Sequence, residues 1–83
     1  MDDNKNKATE IIEICKNLSR IQELNILLLF LIQFSEWKQS LYVKACNICV
    51  EQYANANNDC YEAIELIMAR INEMFEEAEN ERQ

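Results

Sequence analysis

The chain has 83 residues and contains neither glycine nor proline. Glycine accepts a positive φ at tight turns without strain, and proline ends helices and stiffens loops. A chain without either residue has few places at which to turn sharply, and it lacks the glycine-rich loop that cradles phosphate. These two absences favour long helices, so the sequence predicts an all-α fold.

Apolar residues recur at spacings of three and four along most of the chain, as they do on the buried side of a helix. The chain is short enough for one domain over residues 1–83, with polar ends at 1–7 and 81–83 that are expected to fray. Short connections would make successive helices antiparallel neighbours. The periodicity predicts one compact bundle of four helices, at residues 8–17, 20–34, 36–54 and 59–80.

Two serines are candidate helix starts. Ser19 and Gln22 have the spacing of a capping box, in which each side chain bonds to the backbone amide of the other. This predicts a break near Ser19, although the apolar stripe also keeps its period straight through that point. Ser35, followed by Glu36, marks the start of the predicted third helix.

The segment 55–58, Asn-Ala-Asn-Asn, has the strongest loop character in the chain. Asparagine tolerates left-handed backbone conformations and competes for backbone hydrogen bonds, so it takes the place of the missing glycine. Asp59 and Glu62 follow with the spacing of a second capping box. The sequence therefore predicts a loop at 55–58 and a helix capped by Asp59.

Two apolar patterns indicate where the core lies. Residues 26–32 are apolar without interruption, and a helix that is apolar all round must be covered on several sides. That segment is either the centre of the bundle or the interface of a homodimer, and both readings remain open. The last predicted helix has a heptad-like stripe made of Cys60, Ile64, Ile67, Ile71, Met74 and Ala78. A second row at spacing seven contains Tyr61, Met68 and Phe75.

The net charge of −7 is unevenly distributed, since residues 1–44 are neutral and residues 45–83 carry all of it. Contact with phosphate needs clusters of Lys and Arg, so direct binding of nucleic acid or of an anionic membrane is not expected. The longest apolar run has seven residues, against the roughly 20 that span a bilayer. Residues 1–10 lack the apolar core of a signal peptide. A cytoplasmic location is the expectation.

The acidic residues concentrate at the end of the last predicted helix, where the helix dipole disfavours negative charge. They are therefore either a solubilising tail or a docking surface for a basic partner. The aromatic residues beside them lie either at the margin of the core, where aromatic side chains are common, or in an interface, where they are typical of hot spots. The candidate partner-binding residues are Tyr61, Glu62, Glu65, Glu73, Phe75, Glu76 and Glu77.

No catalytic or cofactor-binding residue is predicted. The chain has no histidine, and no cysteine has a partner that would activate it as a nucleophile. The four cysteines fall on apolar stripes, where a reduced thiol acts as a small hydrophobic side chain. The less favoured alternative is a tetrahedral zinc site made by Cys15, Cys46, Cys49 and Cys60.

These observations predict a non-enzymatic, acidic protein-binding module. Its expected form is a small inhibitor that docks an acidic helical surface on a basic, nucleic-acid-handling target. Antagonists encoded by phages and mobile elements, such as anti-CRISPR proteins and antirepressors, offer a functional analogy without a shared motif. The alternatives are a structural or regulatory homodimer, an immunity protein or antitoxin, and a thiolate metal-binding bundle.

Overall fold

Three α-helices make up nearly all of the chain that the structure describes. The structure is a computed structural model, which describes the backbone of residues 3–44 and 50–82 and the side chains of 3–41 and 50–81. No strand occurs in these ranges, so the predicted all-α class is confirmed for them. The predicted division into four helices is replaced by three. Helix α1 spans Asp3–Cys15, α2 spans Arg20–Lys44 and α3 spans Val50–Arg82.

The predicted break near Ser19 is confirmed. The backbone amide of Ser19 donates to Gln22 Oε1, and the amide of Gln22 donates to Ser19 Oγ, both at 3.4 Å. This reciprocal pair is the capping box that the spacing predicted. It starts α2 and separates α2 from α1.

The predicted break at Ser35 is wrong, because α2 continues through it. The Ser35 hydroxyl donates to the carbonyl of Leu31 at 2.8 Å, one turn back in the same helix, and does not cap a new one. On the buried side, the rings of Phe34 and Trp37 lie 5.4 Å apart across this position. Packing of these large side chains favours an unbroken helix over a serine cap.

The predicted loop at 55–58 is also wrong, since these residues lie within α3. Asp59 does act as a cap, but for a different helix. Its Oδ2 accepts from the amide of Asn4 at 3.0 Å, and its Oδ1 accepts from the amide of Lys5 at 3.1 Å. The first amides of a helix have no partner within it, and Asp59 satisfies two of them in α1. Helix α1 accordingly begins at Asp3 and includes residues that were expected to fray.

The predicted third helix, 36–54, is therefore divided between two elements. Residues 36–44 complete α2, and residues 50–54 begin α3. Cys46 and Cys49, together with the rest of 45–49, lie outside the described residues.

Contacts between the helices establish their directions. Arg20 contacts Glu81 and Lys38 contacts Tyr61, so α2 and α3 are antiparallel. Helix α1 folds back along α2, where Lys7 lies over Trp37, and it therefore runs parallel to α3. Helix α3 has 33 residues and is roughly 50 Å long at 1.5 Å per residue. It extends along the whole longest dimension of the molecule, 52 Å.

The core lies where α1, α2 and α3 meet. The heptad stripe predicted for the last helix is confirmed, because its members are buried or half-buried in α3. The apolar run of α2 is only partly covered, since Leu27 is buried while Leu28, Leu29 and Ile32 are exposed. The buried cluster consists of Ala8, Cys15, Leu27, Phe34, Ala63, Ile67 and Met74.

Replacing Asp59 by Ala is expected to lower the free energy of unfolding by roughly 1–2 kcal/mol, because two amides of α1 lose their acceptor. Urea denaturation followed by circular dichroism measures the loss. Asn58→Ala is the matched control, since Asn58 is the exposed neighbour of Asp59 in α3. Equal stability of the two variants would contradict the capping role.

Candidate binding face

A buried ion pair joins α2 to α3. Arg70 Nε donates to Glu23 Oε2 at 2.9 Å, and Arg70 Nη2 donates to Glu23 Oε1 at 3.1 Å. The side chains are only 11% and 4% exposed, respectively. The hydrogen bonds to Glu23 raise the pKa of Arg70 above its ordinary value. This two-point contact fixes one register of α2 against α3.

The same arginine contacts part of the predicted acidic surface. Arg70 Nη1 lies 3.1 Å from a carboxylate oxygen of Glu73 and 3.3 Å from one of Glu77. Glu62 is paired with Lys5 of α1 at 3.6 Å. Three of the predicted partner-binding acids are therefore engaged within the chain. All three lie on the side of α3 that carries Asp59, which is the side that α1 covers.

The remaining predicted residues are differently placed. Tyr61 and Phe75 are exposed on the opposite side of α3. Residues two apart in a helix point in directions roughly 200° apart, and Tyr61 follows Asp59 by two. Glu65 accepts a hydrogen bond from the Tyr61 hydroxyl, which raises the pKa of Tyr61 above its ordinary value. Glu76 is exposed and has no ion-pair partner among the described side chains.

An apolar face extends along α2 and α3 on the side away from α1. On α3 it comprises the seven-residue row Tyr61, Met68 and Phe75, which are 49%, 50% and 59% exposed. On α2 it comprises Ile21, Leu28 and Ile32, which are 76%, 41% and 57% exposed. We call this surface the α2–α3 face. At one end of it, an open pocket of about 150 Å³ lies between the two helices. That pocket is lined by Arg20, Ile21, Leu24, Met74, Phe75 and Ala78.

Acidic side chains border the α2–α3 face. Residues four apart are neighbours on a helix surface, and Glu36, Glu65 and Glu79 each follow a member of the face by four. All three are exposed. None of them has a cationic partner among the described side chains. We call these three residues the acidic margin.

Every cationic side chain that the structure describes already has a partner within the chain. Four of them form ion pairs with glutamates: Lys5, Lys16, Arg20 and Arg70. The other two contact aromatic rings. Lys7 Nζ lies 5.5 Å from the centre of the Trp37 ring, and Lys38 Nζ lies 5.3 Å from that of Tyr61. The uncompensated charge of the described surface is therefore negative.

No family model, curated protein or solved structure matches this chain.

Sequence reasoning singled out only part of the α2–α3 face. Tyr61 and Phe75 were among the predicted site residues, while Ile21, Leu28 and Ile32 were not. The uninterrupted apolar run 26–32 was a signal for the α2 half of the face. Packing against two neighbouring helices leaves part of such a run exposed. Which members of that run remain exposed depends on where α1 and α3 pack, and this is not visible in the spacing alone.

A second, larger cavity lies at the N-terminal end of α1 and is lined by residues of all three helices. Its volume is about 690 Å³, and Trp37 and Cys60 are among the residues that line it. The charged side chains among its described lining residues are Asp3, Lys7 and Asp59. The Asp59 carboxylate accepts from α1 amides and the Lys7 ammonium lies over Trp37, so two of the three already have partners in the fold.

The two described cysteines lie at opposite ends of α1. Asn4 Nδ2 donates to Cys60 Sγ at 3.2 Å, whereas Cys15 follows Asn4 by eleven residues, roughly 16 Å along the helix. A zinc ion holds its sulfur ligands at about 2.3 Å, so Cys15 and Cys60 do not share one site. Burial raises the pKa of both thiols, which disfavours the thiolate that a metal needs. Among the described side chains, no cluster of potential metal ligands occurs.

Within the described ranges, none of the helices combines the length and hydropathy that crossing a bilayer requires.

Proposed function

We propose that this chain is a non-enzymatic protein-binding module, and that the α2–α3 face is its binding surface. The observation that carries the proposal is the set of six large apolar side chains, all at least 41% exposed, on two adjacent helices. Single exposed apolar residues are common, but a contiguous patch of them is typical of an interaction site. The composition also fits, because tyrosine, phenylalanine and methionine are enriched in protein interfaces.

The core supports this assignment, since the face is held by a well-packed scaffold beneath it. Leu27 and Ile67 of the same two helices are fully buried in the core, and the ion pair of Glu23 with Arg70 fixes the relative position of α2 and α3. A rigid surface loses little conformational freedom when it binds, which favours affinity.

The charge favours a basic partner. Because all described cations are engaged, the acidic margin is available to attract and orient a positively charged surface. A small antagonist of a basic, nucleic-acid-handling protein is the form of this function that fits the charge best. Carboxylates would then occupy positions that phosphates otherwise take.

A homodimer is the second candidate, and the same exposed rows favour it. Two copies that met through the α2–α3 face would bury both rows and complete a bundle of four long helices. Against it stands the charge, because each copy would bring its own acidic margin to the interface.

Replacing Ile21 by Gln is expected to abolish retention of the partner from an extract of the native host, because a polar side chain in the face leaves an unpaired group in the contact. Met68→Gln tests the α3 half of the face in the same way. Immobilised protein and mass spectrometry of the retained proteins provide the measurement.

Ile14→Gln is the matched control, since Ile14 is 66% exposed on α1, away from the face, against 76% for Ile21. We expect Ile14→Gln to retain the same proteins as the unchanged chain. Retention that is identical for all variants would disprove the assignment of the face. Sedimentation of the unchanged chain as a dimer that Ile21→Gln converts to a monomer would favour the homodimer instead.

A further inference from the structure

We infer that the α2–α3 face takes a single amphipathic helix of four to five turns, with Lys or Arg along the edge that meets α3. This inference rests on the proposed protein-binding function and specifies the partner. Three features of the molecule support it: the shape of the groove, the way α1 occupies the opposite groove, and the distribution of charge.

The shape of the face matches a helix. Adjacent helices lie about 8–10 Å apart, and the exposed rows on α2 and α3 form the two walls of the groove between them. The α3 row from Tyr61 to Phe75 is roughly 21 Å long, and the α2 row from Ile21 to Ile32 is roughly 16 Å long. A helix of about 14–18 residues covers both rows, and its apolar residues at i, i+3, i+4 and i+7 would contact them.

Helix α1 provides a precedent within the same molecule. It has 13 residues and packs against both α2 and α3 on their other side. Its contact with α3 includes an ion pair between Lys5 and Glu62 at the edge of the interface. On the α2–α3 face, Glu65 and Glu79 occupy the corresponding edge of α3 with no cationic partner among the described side chains. A helix bound there would meet these carboxylates with Lys or Arg, as α1 does with Lys5.

Charge complementarity selects this partner over a second copy of the chain. A second copy carries the same net charge of −7, and its described cations already contact glutamates or aromatic rings of their own chain. Contact between two copies through this face would bring their acidic margins together. Each margin contains Glu36 on α2 and both Glu65 and Glu79 on α3. Like charges at an interface disfavour association, whereas a cationic helix removes that penalty.

Binding of two synthetic peptides to the intact chain tests the inference. Both are capped helices of about 16 residues with the same leucine stripe, and they differ only in carrying Lys or Glu beside it. We expect the Lys peptide to bind about tenfold more tightly than the Glu peptide in fluorescence anisotropy, because rim ion pairs contribute modestly to affinity. The ratio should shrink as added salt screens the charges.

Three variants of the chain identify the surface and the charges. Met68→Gln should weaken binding of the Lys peptide at least tenfold, while Ile14→Gln should leave it unchanged. Glu65→Gln together with Glu79→Gln should remove most of the preference for Lys over Glu. Glu10→Gln, an exposed change on α1, should preserve that preference.

The outcomes separate this inference from the proposed function. Equal binding of both peptides, lost in Met68→Gln, would overturn the cationic specification and leave the face as a protein-binding surface. Binding of the Lys peptide that Met68→Gln does not weaken would overturn the inference, because the contact would then lie elsewhere. A stable dimer that both Met68→Gln and an excess of the Lys peptide fail to dissociate would also overturn it. A different experiment tests the proposed function itself. Identical retention of host proteins by the Ile21→Gln and Ile14→Gln variants would disprove it.

Discussion

Replacing Arg70 by Met is expected to lower the free energy of unfolding by about 3–5 kcal/mol. The change leaves the Glu23 carboxylate, on a side chain that is only 4% exposed, without the two hydrogen bonds that now satisfy it. Removing one partner of a buried pair is far more harmful than never having buried the pair, because the remaining charge stays desolvated. Urea denaturation monitored by circular dichroism gives the loss directly.

Two further variants show whether burial is the cause. Changing Glu23 and Arg70 together to Met and Leu should restore much of the lost stability, since no unpaired charge then remains. Glu73→Gln with Glu77→Gln removes only the exposed contacts of Arg70, and we expect little change. A loss in that exposed double variant as large as in Arg70→Met would show that the contact with Glu23 is not the important one.

Replacing Phe34 by Ala is expected to lower the free energy of unfolding by about 3–5 kcal/mol. Phe34 is fully buried, and its ring centre lies 6.1 Å from that of Phe30 and 5.4 Å from that of Trp37. Its removal leaves a cavity that the surrounding helices fill only in part. A domain of this size has a total stability of roughly 4–12 kcal/mol, so the substitution removes a large share of it. Urea denaturation followed by circular dichroism should show a markedly lower midpoint than for the unchanged chain.

Phe75→Ala provides the same substitution at an exposed site. Phe75 is 59% exposed in the α2–α3 face, and its loss should change stability far less than that of Phe34. The two variants therefore separate the core from the binding surface: Phe34→Ala should lose much of its stability, and Phe75→Ala should keep its stability and bind poorly. Equal loss of stability would mean that the α2–α3 face is part of the core.

The sequence predicted the helices better than the places where they end. The break at Ser19 was predictable because its two capping bonds join residues three apart. The wrong breaks at Ser35 and at 55–58 came from polar residues that favour caps and loops when they stand alone. In the folded chain Ser35 bonds back one turn, and Asp59 caps α1. The conformational preference of a single residue is weak, and contacts between residues far apart in the sequence decide where a helix ends.

The candidate site was predictable to a similar extent. The row of Tyr61 and Phe75 follows from a spacing of seven, and the pairing of Arg70 with Glu73 follows from a spacing of three. The link between Arg70 and Glu23 joins residues 47 positions apart, so no local pattern reveals it. The sequence analysis nevertheless assigned Glu73 and Glu77 to a docking surface, because a helical spacing shows that a contact is possible and not that it forms; both contact Arg70 within the chain.

The carboxylate of Asp59 also has a consequence for the order of events during synthesis on the ribosome. The amides that it caps belong to Asn4 and Lys5, which precede it in the chain by 55 and 54 residues, respectively. Until α3 has emerged from the exit tunnel, these amides of α1 can donate hydrogen bonds only to water. Of the three described helices, the one made earliest therefore gains its capping contacts only when the one made last is available.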